Sequence, residues 1–476
     1  MLANDVETVA EITAAYRAGA AAPADIVARS YARLRALNDA AIFISLRDER
    51  DALAEAQALA ATDQRDLPLF GIPVAIKDNI DVRGLPTTAA CPDFAYRPEA
   101  DAAVVARLRR AGAIVIGKTN LDQFAAGLVG VRSPYGVPRN PLDARLIPGG
   151  SSSGSAVAVA AGVVPVALGT DTAGSGRIPA LFNNIVGLKP SLGLVSTAGV
   201  VPACRTLDCV SVFAHTTDDC WAVLAVIAGF DADDPYSRRR PLQEPATPPG
   251  VRLGVPLPDQ RIFFGDRRAA VDYARALDRL AGLGAAIVEI DMTPFYETAR
   301  LLYEGPWLAE RYAAIRDFIT ASPQSLHPVT RDIILAGGRP SAADAFAAFY
   351  QLERTRRIVE RTFTEVDALA LPTAPALYTV DEVLADPVAL NTRLGTYTNF
   401  VNLLDLCGLS VPAALREHGA SGDRAGDDAP GVTPFGITLL APGGNDGLLA
   451  AIGRRFHAEV ALPMGALQRK QPALAG

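Results

Sequence analysis

Two Gly/Ser-rich turns, Gly149-Gly150-Ser151-Ser152-Ser153-Gly154-Ser155 and Gly169-Thr170-Asp171-Thr172-Ala173-Gly174-Ser175-Gly176, flank one small-residue apolar segment. No other stretch restricts the fold so tightly. Ser155 to Ala161 reads as a helix that opens on the first turn, and Val163 to Leu168 as a buried strand that runs into the second. Side chains this small let backbone N–H groups and hydroxyls approach a bound molecule closely. Open α/β sheets place ligands beyond the ends of their strands, so the paired turns mark a candidate site.

The rest of the chain supplies the sheet that such turns need. Residues 5–62 have helical periodicity and form a lead-in, after which the pattern shortens. Gly71 to Ile76 reads as a strand ending at Lys77-Asp78-Asn79. Helix Ala102 to Ala111, stopped by Gly112, then strand Ala113 to Ile116 and a helix near Leu121 to Ala126 continue the series. Residues 231–250, with five prolines, read as a surface connection. Strand Val251 to Val255, helix Arg267 to Leu283 and strand Ala286 to Ile290 resume the alternation. Thr298 to Phe363 is mostly helical, with breaks expected near Pro323 and Gly337-Gly338. Strand Ala368 to Leu371, a polar loop at Gly419 to Gly431, strand Phe435 to Leu440 and helix Gly447 to Val460 close the pattern, and Gln468 to Gly476 reads as a tail. Strands alternating with helices argue for a layered α/β domain.

Composition narrows the partners. The chain has 476 residues, enough for a full core, and a formal net charge of -7 without a block of like charges, which argues against nucleic acid. Five cysteines without C-x-x-C spacing favour buried free thiols over a disulfide framework or a zinc site. The N-terminus lacks the basic and apolar regions of a secretory signal. The longest apolar run, Ala156 to Leu168, contains Gly162 and Pro165 and falls short of the ~20 residues of a membrane span. A cytoplasmic protein with no membrane association is the expectation.

Two nucleophile arrangements compete for the serines. Gly150-Ser151-Ser152-Ser153-Gly154 matches G-x-S-x-G, but that elbow needs a strand before it and a histidine partner. The preceding residues look like loop, and His457, on the closing helix, is the natural histidine of only four. The second arrangement pairs the serines with Lys77, which as an ordinary strand terminus would simply be solvated. A lysine base must instead be buried deeply enough to bring its pKa down several units from ~10.4. Ser-Lys pairs activate a hydroxyl without histidine, and the scarcity of histidine here favours one.

The run from Gly71 to Gly199 resembles the amidase signature family through FGIPVAIKDNI around Lys77, GGSSSGSA, and GTDTAGSGRIPA followed by NNIVGLKP, all in register. The resemblance implies a three-layer α/β/α fold with a central mixed sheet over residues 66–462, with the helical lead-in 1–65 packed on it and a tail at 463–476. It implies that Ser175 is the nucleophile, Ser151 a bridging serine on a cis peptide and Lys77 the base. The backbone amides of Thr172, Ala173, Gly174 and Ser175 are the implied oxyanion hole, and no metal or organic cofactor is expected. Ser152, Ser153 and Ser155 are left for turn and N-cap hydrogen bonds, Asp171 for orienting its loop, and Arg177 for pairing with that aspartate or capping structure, with no catalytic role.

Within the family, GSGRIPALFNNIVGLKP and LVSTAGVVPACRTLDCVSVFAHTTDD look like the allophanate hydrolase branch. That implies cleavage of the ureido C–N bond of allophanate with release of ammonia. A carboxylated urea calls for a cation, which an arginine fork supplies. The segment LLYEGPWLAER resembles the branch's substrate-binding segment, with Tyr303 and Arg311 at the matching spacing and Gly127 as a backbone contact. Pairing of Arg311 with Glu310 or Asp317, and a core role for Tyr303, are the alternatives at this point. A broad amidase on neutral amides and a tRNA-dependent amidotransferase A-type subunit are the rival functions. The resemblance also implies a homodimer that works with a urea carboxylase. The second, C-terminal domain of long members is expected to be absent, so decarboxylation of the product falls to a separate protein or to spontaneous chemistry.

Overall fold

The computed structural model of the chain describes residues 7–418 and 431–467. Eleven strands join in one mixed sheet among these residues: Phe43–Leu46 (β1), Pro73–Lys77 (β2), Ile114–Thr119 (β3), Val166–Asp171 (β4), Val186–Lys189 (β5), Cys209–Ala214 (β6), Arg252–Pro256 (β7), Ala286–Ile290 (β8), Ala368–Pro372 (β9), Leu406–His418 (β10) and Gly431–Pro442 (β11). Their order is β1-β3-β2-β4-β6-β5-β10-β11-β9-β7-β8. The β3-β2-β4 and β9-β7-β8 groups are parallel, and antiparallel pairs connect them. The fold is therefore α/β with a mixed sheet.

Burial on both faces follows from the period-2 geometry of strands. On β2, Val74 and Ile76 enter one apolar cluster and Ala75 enters another on the opposite face. β4 repeats this with Val166 and Leu168 against Ala167, and β9 with Ala368 and Ala370 against Leu369 and Leu371. Helices cover both faces, which is why these strands read as apolar runs and not as alternating ones. Lys77 falls on the Ala75 side of β2, the face on which helix Ser153–Ala160 packs.

Several boundaries differ from the sequence expectations for identifiable reasons. The strand expected at Val163 to Leu168 starts only after Pro165 and runs on through Gly169, Thr170 and Asp171, because β6 pairs with it there. The helix expected near Leu121 to Ala126 is a single 3-10 turn, Gln123–Ala125, in which Phe124 and Ala125 have φ of 52° and 54°. Asp122 turns the chain by collecting the amides of Val129, Gly130 and Arg132 at 3.1, 2.9 and 2.9 Å, which competes with helix formation. The helical region after Thr298 breaks additionally at Gly305-Pro306, giving Thr293–Glu304 and Trp307–Ala321. β10 has no counterpart among the expected strands, and β11 is longer than the strand Phe435 to Leu440. β10 contains Gly408 and Pro412, and the proline is tolerated because the pairing with β11 shifts register between Pro412 and Ala414. The lead-in contributes β1 to the sheet as well as helices Val9–Arg17, Pro23–Leu37 and Glu49–Ala60. Residues 419–430 of the expected polar loop, and the tail from Gln468, lie outside the described residues.

Candidate active site

The two turns and Lys77 meet at the carboxyl ends of the parallel strands β2 and β4. Lys77 is the last residue of β2 and is fully buried. Its Nζ lies 2.8 Å from Ser151 Oγ and 2.8 Å from Thr170 Oγ1. Burial pushes the lysine down to about 7, against the opposing pull of Asp122, Asp171 and Asp208. A neutral amine is therefore accessible near neutral pH, which an ordinary lysine does not offer.

Ser151 sits on a cis peptide bond after Gly150. Its carbonyl accepts the Asp122 amide at 3.0 Å, and the Gly150 amide donates to the Leu128 carbonyl at 2.8 Å. A Cβ at Gly150 would fall inside the Asp122 carboxylate, so only glycine permits this approach. None of the neighbouring serines caps helix Ser153–Ala160. Ser152 bonds the Thr170 carbonyl at 3.2 Å, Ser153 the Asn120 carbonyl at 3.5 Å, and Ser155 the Leu168 carbonyl at 2.9 Å and Thr119 Oγ1 at 2.7 Å. They pin the helix to β3 and β4, a tertiary use of hydroxyls where the sequence suggests local N-capping.

The second turn is wrapped around a buried ion pair. Asp171 receives Arg177 through Nε at 2.9 Å and an Nη at 3.0 Å, and also the amides of Gly174 and Gly176 at 2.9 Å each. Burial alone would raise the Asp171 carboxyl, but Arg177 and these hydrogen bonds outweigh it and hold it below the usual range. Four donors on one carboxylate fix the path of the backbone from Asp171 to Arg177. Because the Gly174 amide is engaged by Asp171, it is not free to face a ligand. The amides of Thr172, Ala173 and Ser175 have no hydrogen-bond partner among the described residues.

Ser175 is 3% exposed, and its Oγ makes a long 3.5 Å bond to the carbonyl of Gly127. Gly127 thus lies beside Ser175, packed so closely on Asp122 that a Cβ would stand 2.5 Å from Oδ2. The structure joins Lys77 to Ser151 but does not hydrogen-bond Ser151 to Ser175. No histidine bonds any of these serines among the described residues, and His457 is buried with His215 as its titratable neighbour, so the elbow-and-histidine arrangement has no geometry behind it.

Tyr303 and Arg311 lie on the two helices flanking Gly305-Pro306, with the guanidinium carbon 5.3 Å from the tyrosine ring centroid. Arg311 is 3% exposed, and Nε and both Nη nitrogens lack a hydrogen-bond partner among the described residues. Its alternative carboxylates are committed elsewhere: Glu310 accepts the Thr206 amide and hydroxyl at 2.8 Å each, and Asp317 faces Arg316. Asp208 and Glu310 favour the charge through space, but no acceptor meets the guanidinium nitrogens, an arrangement that an anionic ligand would complete.

Three residues of the site escaped sequence reasoning. Thr170 reaches Lys77 because β4 lies beside β2, an adjacency that spacing does not reveal. Asp122 binds both the Ser151 turn and the Gly127 segment. Asp208 accepts the Thr172 hydroxyl at 2.6 Å.

A model of the family described as Amidase matches residues 25–450. The chain is 46% identical to urea amidolyase of Lachancea kluyveri over 427 residues, which is 89% of this chain but 22% of that protein. It therefore spans about a fifth of the length of such relatives. It is 39% identical to the A-type subunit of glutamyl-tRNA(Gln) amidotransferase from Symbiobacterium thermophilum, over 73% of this chain and 77% of that one. The structure of Kluyveromyces lactis allophanate hydrolase superposes with a TM-score of 0.89 at 40% identity, covering 98% of this chain and 75% of that chain.

Proposed function

The chain belongs to the amidase family, and from that premise we propose that it is an allophanate hydrolase whose covalent chemistry runs through Lys77, Ser151 and Ser175. The observation that carries the substrate is the buried, partnerless guanidinium of Arg311 on the face of Tyr303. A neutral amide would leave that fork without a hydrogen-bond acceptor, whereas the N-carboxylate of allophanate fits it. The likeness to allophanate hydrolase and urea amidolyase supports the same choice.

In this reading the neutral Lys77 amine takes the Ser151 proton, and Ser151 takes that of Ser175 as the latter attacks the ureido carbonyl. Ser175 leaves its long bond to Gly127 by rotating about χ1 to complete the relay; such bonds commonly tighten only with substrate in place. Negative charge developing on the carbonyl oxygen is met by the amides of Thr172, Ala173 and Ser175, already held in place by the Asp171–Arg177 pair. Protons return through the same relay to the departing ammonia, and water then releases the acyl group from Ser175.

Carboxylation of urea supplies a carboxylated urea, and the partner in this reading is a urea carboxylase; the product of the amidase step still carries a carboxylate. The enzyme is proposed to act in the cytoplasm as a homodimer; no described helix is long and apolar enough to cross a membrane. Ammonia release from allophanate, from a neutral amide such as acetamide and from glutamine tests the assignment. The allophanate rate should dominate; a preference for either of the others rejects it. Light scattering of the purified chain tests the dimer.

A further inference from the structure

Asp208 lies just before β6, and its carboxylate is buried to within 8%. Oδ1 accepts the Thr172 hydroxyl at 2.6 Å, Oδ2 the Ala203 amide at 2.8 Å, and the Cys204 amide reaches both oxygens at 3.1 and 3.2 Å. The same segment grips the helix that carries Arg311. Thr206 donates twice to Glu310, and Cys204 Sγ lies 3.7 Å from the Trp307 carbonyl. One carboxylate thus stands between the turn that holds Ser175 and the helix that holds Arg311. No cation is in salt-bridge contact with it among the described residues, so its donors are what stabilise it there.

We propose that Asp208 is a positioning residue for hydrolysis: by clamping the Thr172 hydroxyl and the Ala203 and Cys204 amides together, it sets the oxyanion turn at a fixed distance from the Arg311 helix. The inference rests on the roles given above to Thr172 and Arg311. Amides aimed at a developing charge lose much of their effect when displaced by a fraction of an ångström. The substrate would then be held at its carboxylate by Arg311 and polarised at its carbonyl by the turn, with Asp208 setting the distance between the two.

Asp208 also acts at longer range. Its charge supports the protonated form of Lys77, together with Asp122 and Asp171, and it faces Arg311. Burial pushes its own carboxyl up to about 6, opposed by the Thr172 hydroxyl, the two amides and Arg311. Arg205, Asp234 and Arg238 line the same 170 Å³ cavity as Asp208. Removing the negative charge should therefore make Lys77 easier to deprotonate and leave Arg311 more attractive to an anion.

The test is steady-state kinetics of D208N, T172V, T172S and the double variant D208N/T172V across pH. T172V and D208N should each lower kcat by about tenfold, less than loss of an oxyanion donor itself. KM for allophanate should not rise in D208N, and the acid limb of its kcat/KM profile should move to lower pH. The double variant should be no slower than the worse single one, and T172S should recover most of what T172V loses. Retention of kcat in T172V, multiplicative losses in the double variant, or an acid limb unmoved in D208N would each overturn the proposal. If D208N does not fold, the T172V and T172S pair decides alone. If the wild type proves to hydrolyse only neutral amides, the substrate assignment fails instead; kcat, coupling and the acid limb are then read on that amide.

Discussion

Lys77 Nζ and Ser151 Oγ stand 2.8 Å apart in a fully buried setting, although their positions are 74 residues apart in the chain. With the lysine held near 7, the neutral amine needed for proton abstraction becomes the major form only above that pH. The kcat/KM profile should rise through an acid limb near pH 7, and K77R, permanently charged, should be inactive at every pH. A limb near 5 or a K77R enzyme with measurable turnover would exclude Lys77 as the base.

The same shift has a stability sign. Between about 7 and 10.5 the unfolded chain binds the Lys77 proton and the folded chain does not, so the penalty for burying it is full below 7 and fades as pH approaches 10.5. K77M should therefore raise Tm relative to wild type more at pH 6.5 than at pH 10, as followed by circular dichroism. Equal differences at both pH values would mean that the amine is not desolvated.

Ser175→Ala should abolish ammonia release, lowering kcat by about 10⁴-fold or more while leaving substrate affinity nearly intact. Ser151→Ala should be slower than wild type by a comparable factor if it carries the relay, because residues acting as one unit do not contribute additively. Rapid-quench detection of an acyl adduct in wild type and its absence in S175A, with an unchanged circular dichroism spectrum, separate a lost nucleophile from a misfolded site.

Arg311→Ala should raise KM for allophanate by about 10- to 100-fold, the range expected for a charge-assisted hydrogen bond of about 1.5–3 kcal/mol, with little change for acetamide. Arg311→Met should at the same time leave the free enzyme folded with little loss of stability, since no hydrogen bond of the guanidinium is lost. An equal KM effect on both substrates, or a destabilised R311M, would argue that Arg311 is a packing residue.

Arg177→Met leaves the Asp171 carboxylate buried without its cation and should cost about 3–5 kcal/mol, the usual result of breaking such a pair from one side. Urea denaturation measures the loss directly, and a change under about 1 kcal/mol would show that the two glycine amides suffice to hold Asp171.

What can be read from the chain and what cannot divide along physical lines. The apolar core strands, the long amphipathic helix Arg267–Gly282 and the two serine turns are visible in the sequence because burial and backbone freedom leave local marks. The Asp171–Arg177 pair is legible for the same reason: its members are neighbours in sequence. Thr170 and Asp208 are not, because their roles depend on which strand lies beside which, and β4 pairs with β2 across a long stretch of chain. β10 is hidden by Gly408 and Pro412, residues that lower strand propensity and are accommodated only by the register shift against its partner. Likewise Asp122 lies inside the helix expected near Leu121 to Ala126 and carries no local mark of the three amide partners with which it winds the chain another way.

The four residues of β1 are paired along β3 by a segment that otherwise looks like a helical preamble. Cutting that segment away would bare the hydrogen-bonding edge of β3, next to the strand that carries Lys77, and an uncovered edge is a template for other chains. A shortened enzyme should accordingly be lost to precipitation before any defect in turnover could be measured.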